Sequence, residues 1–141
     1  MKPRITIITL GVDDLERAVA FYRDGLGLAT DGIIGQEFEY GAVAFFNLSG
    51  GLKLALWPRT SIAHDAGIPV QPPSATDATI AHNVNSKQEV DALMDEVRRA
   101  GGNIVKPAAD TFYGGYAGYF QDPDGHLWEA AWNPDISVAD D

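Results

Sequence analysis

The sequence predicts an α+β fold in which one βαβββ unit is written twice, the copies related by a pseudo-twofold axis. Three observations predict it. A strand followed by an amphipathic helix near the N-terminus recurs from Thr79, a strand–turn–strand pattern closes both copies, and a Pro- and Ser-rich stretch lies between them. A repeat of this length is too long for a solenoid, and two copies suit a pair of units.

The first element, "ITIITLGV", is rich in β-branched residues and free of breakers, so it reads as a strand from about Ile5 to Val12. A helix follows. Asp13 with Glu16 three residues on has the capping-box pattern, and Leu15, Ala18, Val19 and Tyr22 fall at i, i+3, i+4, i+7. The glycines of "DGLGL" end it. In the second copy "TIAHNV" is the strand, Ser86 and Glu89 form the capping box, and Val90, Leu93, Met94 and Val97 repeat the apolar spacing before "AGG". Val12 and Val84 stand at matching places, an offset of 72 residues, which sets Ile7 against Thr79.

The ends of the copies match as well. "FNLSGGLKLALWP" lies over "FQDPDGHLWEAAWNP" at an offset of 74, pairing Gly51 with Gly125 and Ala55 with Glu129. Each is a strand, a tight glycine-containing turn and a returning strand. With about three strands after each helix, unit one spans about 1–57, a surface linker about 58–78, unit two about 79–134 and a tail 135–141. Strands apolar on one face and mixed on the other let helices cover the outside while mixed sheets curve around a cleft.

Composition narrows the function. At 141 residues with 45% hydrophobic content the chain is one ordinary globular domain in size. A formal charge of −10 repels phosphate backbones and anionic lipid heads, which argues against nucleic acid and membrane partners. Without cysteine there is no disulfide, thiolate metal site or cysteine nucleophile. Asp13 and Asp14 follow the N-terminal apolar run too closely for a signal peptide, so the expected location is the cytoplasm.

With these residues in place, the opening "LGVDDLERAVAFYRDGLGL" and above all "GGYAGYFQDPDGHLWEAAWNP" resemble the vicinal oxygen chelate superfamily. That family includes glyoxalases, extradiol dioxygenases, fosfomycin-modifying enzymes and bleomycin-binding proteins. The resemblance covers nearly the whole chain. It implies two metal ligands per unit, one in the first strand and one in the last, together holding a divalent ion in the cleft. Those positions fall on Ile7 and Ala55 in unit one and on Thr79 and Glu129 in unit two. Only Glu129 ligates strongly, whereas zinc takes about four N, S or O donors. The expectation is therefore a member of the family without the usual metal or other cofactor, a loosely associated divalent ion apart. His82 and His126 each stand three residues from a ligand position, on the opposite face, and His64 sits in the linker.

Glu129 is the candidate site, because a carboxylate on an apolar strand costs several kcal/mol unless something satisfies it. Taking "DPDG" as a four-residue loop sets Gln121 opposite His126, Phe120 opposite Leu127, Gly118 opposite Glu129 and Tyr116 opposite Ala131. Tyr116, Phe120, Leu127 and Glu129 then share one surface, an aromatic ligand wall. The expected function is binding of a small molecule in an aromatic cleft, like the bleomycin-binding members. Two alternatives stand beside it. One is a lyase, isomerase or dioxygenase-type enzyme with Glu129 as catalytic base or with a non-standard metal site; the other is a non-catalytic interaction module. Apolar strands such as "GAVAFFNL" need cover, and members of the fold commonly pair, so a homodimer is expected.

Overall fold

The structure, a computed structural model, describes residues 1–139, and the chain divides into two units between Pro72 and Pro73. The last two residues of the 135–141 tail lie outside the described residues. Both units carry the predicted order of strand, helix and three strands, and the fold is α+β.

In the first unit β1 (Ile7–Val12) leads into α1 (Leu15–Val19), and β2 (Thr30–Ile34), β3 (Val43–Asn47) and β4 (Lys53–Pro58) complete a mixed sheet of order β1-β4-β3-β2. β1 and β4 are parallel, the other pairs antiparallel. The N-cap of α1 is Asp14 rather than Asp13: its Oδ1 accepts from the Arg17 N–H at 3.1 Å. Beyond Val19 the helix widens into a π-turn over Ala20–Gly25, in which the Leu26 N–H reaches back to the Phe21 carbonyl. The extra residue in the turn lets two adjacent aromatics, Phe21 and Tyr22, both be buried, and Tyr22 meets Phe46 of β3 edge-on at 6.1 Å. Leu54, Leu56 and Val12 complete this small core.

Residues read as linker contain a further helix, α2 (Arg59–Ala66). It lacks the repeating apolar stripe that marks α1. Gly67 ends it in the left-handed conformation, where the Ile68 N–H donates to the Ala63 carbonyl at 3.0 Å.

The second unit holds β5 (Thr79–Val84), α3 (Lys87–Arg99), β6 (Asn103–Asp110), β7 (Tyr116–Gln121) and β8 (Leu127–Trp132), in a sheet of order β5-β8-β7-β6. Ser86 caps α3 as the sequence predicts, its Oγ accepting from the Glu89 N–H at 3.1 Å, while the Glu89 carboxylate accepts from the N–H of Asn85, one residue before the cap, at 2.9 Å. Val90, Met94 and Val97 are buried along one stripe of that helix. Against them lies the sheet face bearing Tyr116, Gly118 and Phe120. Among the described residues no helix is long and apolar enough to cross a membrane.

Gly118 marks how closely α3 and the sheet approach. A Cβ there would stand 2.8 Å from Met94 Cε and 2.9 Å from both the Ala108 nitrogen and the Lys106 carbonyl oxygen of β6. Methionine can turn aside, but the backbone of β6 cannot. Gly118→Ala is therefore expected to destabilise the unit by about 1–3 kcal/mol, read as a lowered midpoint in urea denaturation; an unchanged midpoint would show that β6 yields.

Candidate functional site

The site is organised by the turn that joins β7 to β8. Its loop is three residues, Pro123, Asp124 and Gly125, because Asp122 and His126 close it: the Asp122 N–H donates to the His126 carbonyl at 3.1 Å. Gly125 takes a φ of +87° and donates to the Asp122 carbonyl at 3.0 Å, the arrangement of a type I turn with a glycine bulge. The Asp122 carboxylate, fully buried, accepts from the N–H groups of Asp124 at 3.0 Å and His126 at 2.8 Å, and its second oxygen lies 2.7 Å from His126 Nδ1. His126 is thus built into the turn.

This turn shifts the strand pairing by one residue from the sequence expectation. Gln121 faces Leu127, Phe120 faces Trp128, Tyr119 faces Glu129, Gly118 faces Ala130 and Tyr116 faces Trp132. One residue of slip exchanges the faces of a strand. Tyr116 and Phe120, expected to share a ligand wall with Leu127 and Glu129, instead lie on the α3 side. There Phe120 is buried and parallel to Trp128 at 6.0 Å, and the Tyr116 hydroxyl donates to Asp91 of α3 at 2.7 Å. Leu127 and Glu129 remain together on the face away from α3, now with Tyr119 and Ala117. The expectation failed because the carboxylate of Asp122 recruits His126 into the turn. An aspartate immediately before Pro-Asp-Gly was the signal that could have found it.

Tyr119 is the residue the sequence reading missed. Ala81, Glu129 and Tyr119 form one cross-strand row over β5, β8 and β7. The Tyr119 phenol is held above its ordinary value, first by the Glu129 carboxylate across the hairpin, which favours the protonated hydroxyl, then by burial and by the nearby charges. The carboxylate that seemed stranded on an apolar strand therefore faces a phenol across the hairpin, and Ala81 beside it offers only a methyl group. A carboxylate accepts hydrogen bonds through both of its oxygens. A phenol whose pKa is raised is a poorer acid, so the pair is better suited to accepting a hydrogen bond than to giving up a proton.

The histidines stand elsewhere. His82 pairs in register with Ala130, on the opposite face from Glu129, and His64 of α2 stacks on Tyr40 with ring centroids 4.0 Å apart.

The first unit repeats the row with different chemistry. Thr9, Ala55 and Phe45 occupy the places of Ala81, Glu129 and Tyr119. Its turn also repeats: the Leu48 N–H donates to the Leu52 carbonyl at 2.8 Å, with Gly50 and Gly51 at positive φ. The four positions where the resemblance implies metal ligands are Ile7 and Ala55 in this sheet, Thr79 and Glu129 in the other. One carboxylate, one hydroxyl and two aliphatic side chains do not make a divalent-metal donor set. Among the described residues no three His, Asp or Glu side chains are grouped to hold an ion.

The model of the Glyoxalase/Bleomycin resistance protein/Dioxygenase superfamily matches residues 4–130. The crystal structure of a glyoxalase-related enzyme from Fulvimarina pelagi is 36% identical, with a TM-score of 0.82 over 97% of this chain and 93% of that one. A glyoxalase/bleomycin resistance protein/dioxygenase from Nocardioides is 28% identical, with a TM-score of 0.76 over 100% and 90%. Lactoylglutathione lyase from Agrobacterium tumefaciens, at 23% identity and a TM-score of 0.67 over 96% and 98%, shares the fold. Among curated proteins there is no significant match.

The juxtaposition of Tyr119 and Glu129 predicts a pH dependence. The phenol is raised above the ordinary value of 10.0 only when folded, so its stabilisation is fully present below about pH 10 and is lost as pH rises through the higher folded value. Ultraviolet titration should show a late-ionising tyrosine that disappears in Tyr119→Phe and ionises earlier in Glu129→Gln. If Glu129→Gln leaves the titration unchanged, the carboxylate does not control the phenol.

Proposed function

The chain belongs to the glyoxalase/bleomycin resistance protein/dioxygenase superfamily, and we propose that within it the protein binds a small organic molecule at Glu129 and Tyr119 without the metal its fold commonly carries. The observation that carries this reading is the facing pair itself: a carboxylate at the family's last-strand ligand position, answered by a phenol across the hairpin rather than by other ligands. Ala81, Ala117 and Ala131 keep the surroundings small, and Leu127 adds an apolar contact. A ligand bearing an amine or hydroxyl would give its hydrogen to Glu129 and lay an apolar part on the tyrosine ring. The raised Tyr119 pKa favours recognition over proton transfer by that residue.

The test uses thermal shifts against a panel of small amines and alcohols, followed by calorimetry on any compound that stabilises the protein. Glu129→Gln is expected to melt close to the parent, because the amide has the carboxylate's shape and removes a charge that is costly to desolvate. Its affinity should fall by about one to two orders of magnitude, the worth of a charge-assisted hydrogen bond of about 1.5–3 kcal/mol. Tyr119→Phe should weaken binding less. Unaltered affinity in Glu129→Gln would overturn the assignment. So would near one equivalent of a transition metal in freshly purified protein that is lost with Glu129.

A further inference from the structure

The first unit carries a groove of about 340 Å³ whose chemistry differs from that of the Glu129 pair; its walls include Thr30, Asp31 and Ile34 of β2, Phe45 and Asn47 of β3, and Lys53 of β4. Its shape comes from a bulge. The pairing of β2 with β3 shifts between Thr30 and Ile33, and Gly32 there adopts a φ of +87°. Thr30 pins the bulge with one side chain, its Oγ1 donating to the Phe45 carbonyl at 2.5 Å and accepting from the Gly32 N–H at 3.1 Å. β2 thereby departs from regular pairing beside the Phe45 ring.

The floor of the groove has unspent hydrogen-bond donors. Asn47 and Lys53 are direct cross-strand partners, so they share a face with Phe45 two residues away along β3. The Lys53 ammonium lies 5.9 Å from the Phe45 ring centroid. Among the described residues Lys53 has no ion pair and the Asn47 amide no hydrogen-bond partner. Arg23, Arg59, Lys87 and Arg98 by contrast stand beside aspartates, so their charge is already engaged. An aromatic face, an ammonium and an amide side by side match a flat molecule that ends in an anionic group. Asp31 on the wall sets a limit, since a second negative charge on the ligand would meet it.

We propose that this groove is a binding site for a planar monoanion, an aromatic carboxylate, whose ring lies on Phe45 and whose carboxylate is held by Lys53 and Asn47. Its chemistry is the reverse of the Glu129 pair's, which takes hydrogen-bond donors.

Benzoate is the probe, with benzamide as the neutral analogue of the same shape and phthalate as the dianion, each titrated into the full chain by two-dimensional NMR. Benzoate should shift the amides of β2 and β3, bind more tightly than benzamide or phthalate, and weaken as salt is raised. Lys53→Met keeps the stem and removes the charge, and should lower benzoate affinity at least about tenfold while leaving benzamide unchanged. Asp31→Asn should improve phthalate binding, and Glu129→Gln should leave every titration as it was. Benzoate binding that is equal in Lys53→Met, or shifts confined to residues outside the first unit, would overturn the proposal. Lys53 is exposed, so the variant is expected to fold, and its unperturbed spectrum outside β2 to β4 checks that.

Discussion

The buried carboxylate of Asp122 is the constraint on which the two faces of the second unit's sheet depend. Three hydrogen-bond donors converge on it, two from the backbone of the turn and one from the His126 ring. A buried carboxylate is tolerated only when it is so engaged, and the engagement in turn leaves the backbone one low-energy course. That course closes the hairpin at Asp122 and His126, sets Tyr119 against Glu129, and sends Phe120 and Trp128 to the helix side. A tight turn thus decides, three residues away, which side chains can act together.

The first unit reaches the same turn by different means, which separates the geometry from its cause. Where the second unit has Asp-Pro-Asp-Gly-His, the first has Leu-Ser-Gly-Gly-Leu, and the closing bond from Leu48 to Leu52 is kept. Two glycines at positive φ supply the conformation there without any side-chain acceptor. The second unit keeps one glycine at positive φ and adds a buried carboxylate. β8 also carries Glu129 on the face away from α3, so a slip by one residue would turn that carboxylate toward α3 and its apolar stripe.

Much of the fold was legible in the sequence because its signals are local and redundant. The stripe Leu15, Ala18, Val19, Tyr22 and its counterpart Val90, Leu93, Met94, Val97 each combine a cap, a period and a glycine stop, and both helices lie where those signals put them. The strands followed from β-branched runs and turn residues. Less legible were features governed by one hydrogen bond. Whether Asp13 or Asp14 caps α1 depends on a bond to the Arg17 amide, and α2 has neither cap nor stripe to announce it. The candidate site was half legible: Glu129 drew attention as a carboxylate among apolar residues, but its partner Tyr119 depended on turn closure, which period-two patterning cannot resolve to one residue.

Duplication also explains why the two sheets now carry opposite chemistry on equivalent places. Asn47 and Lys53 occupy the positions of Gln121 and Leu127, while Ala55 and Phe45 occupy those of Glu129 and Tyr119. The first sheet therefore presents donors and positive charge beside an aromatic ring, and the second presents an acceptor with negative charge beside a phenol. Side chains on equivalent places stay alike only where one requirement acts on both, and Ile7, Ala55, Thr79 and Glu129 share no donor chemistry, while the turns and caps of both copies stay. The retained features are those the folding of each unit requires: the turn closure and the helix stripe. The altered ones lie along the faces where a ligand would be met.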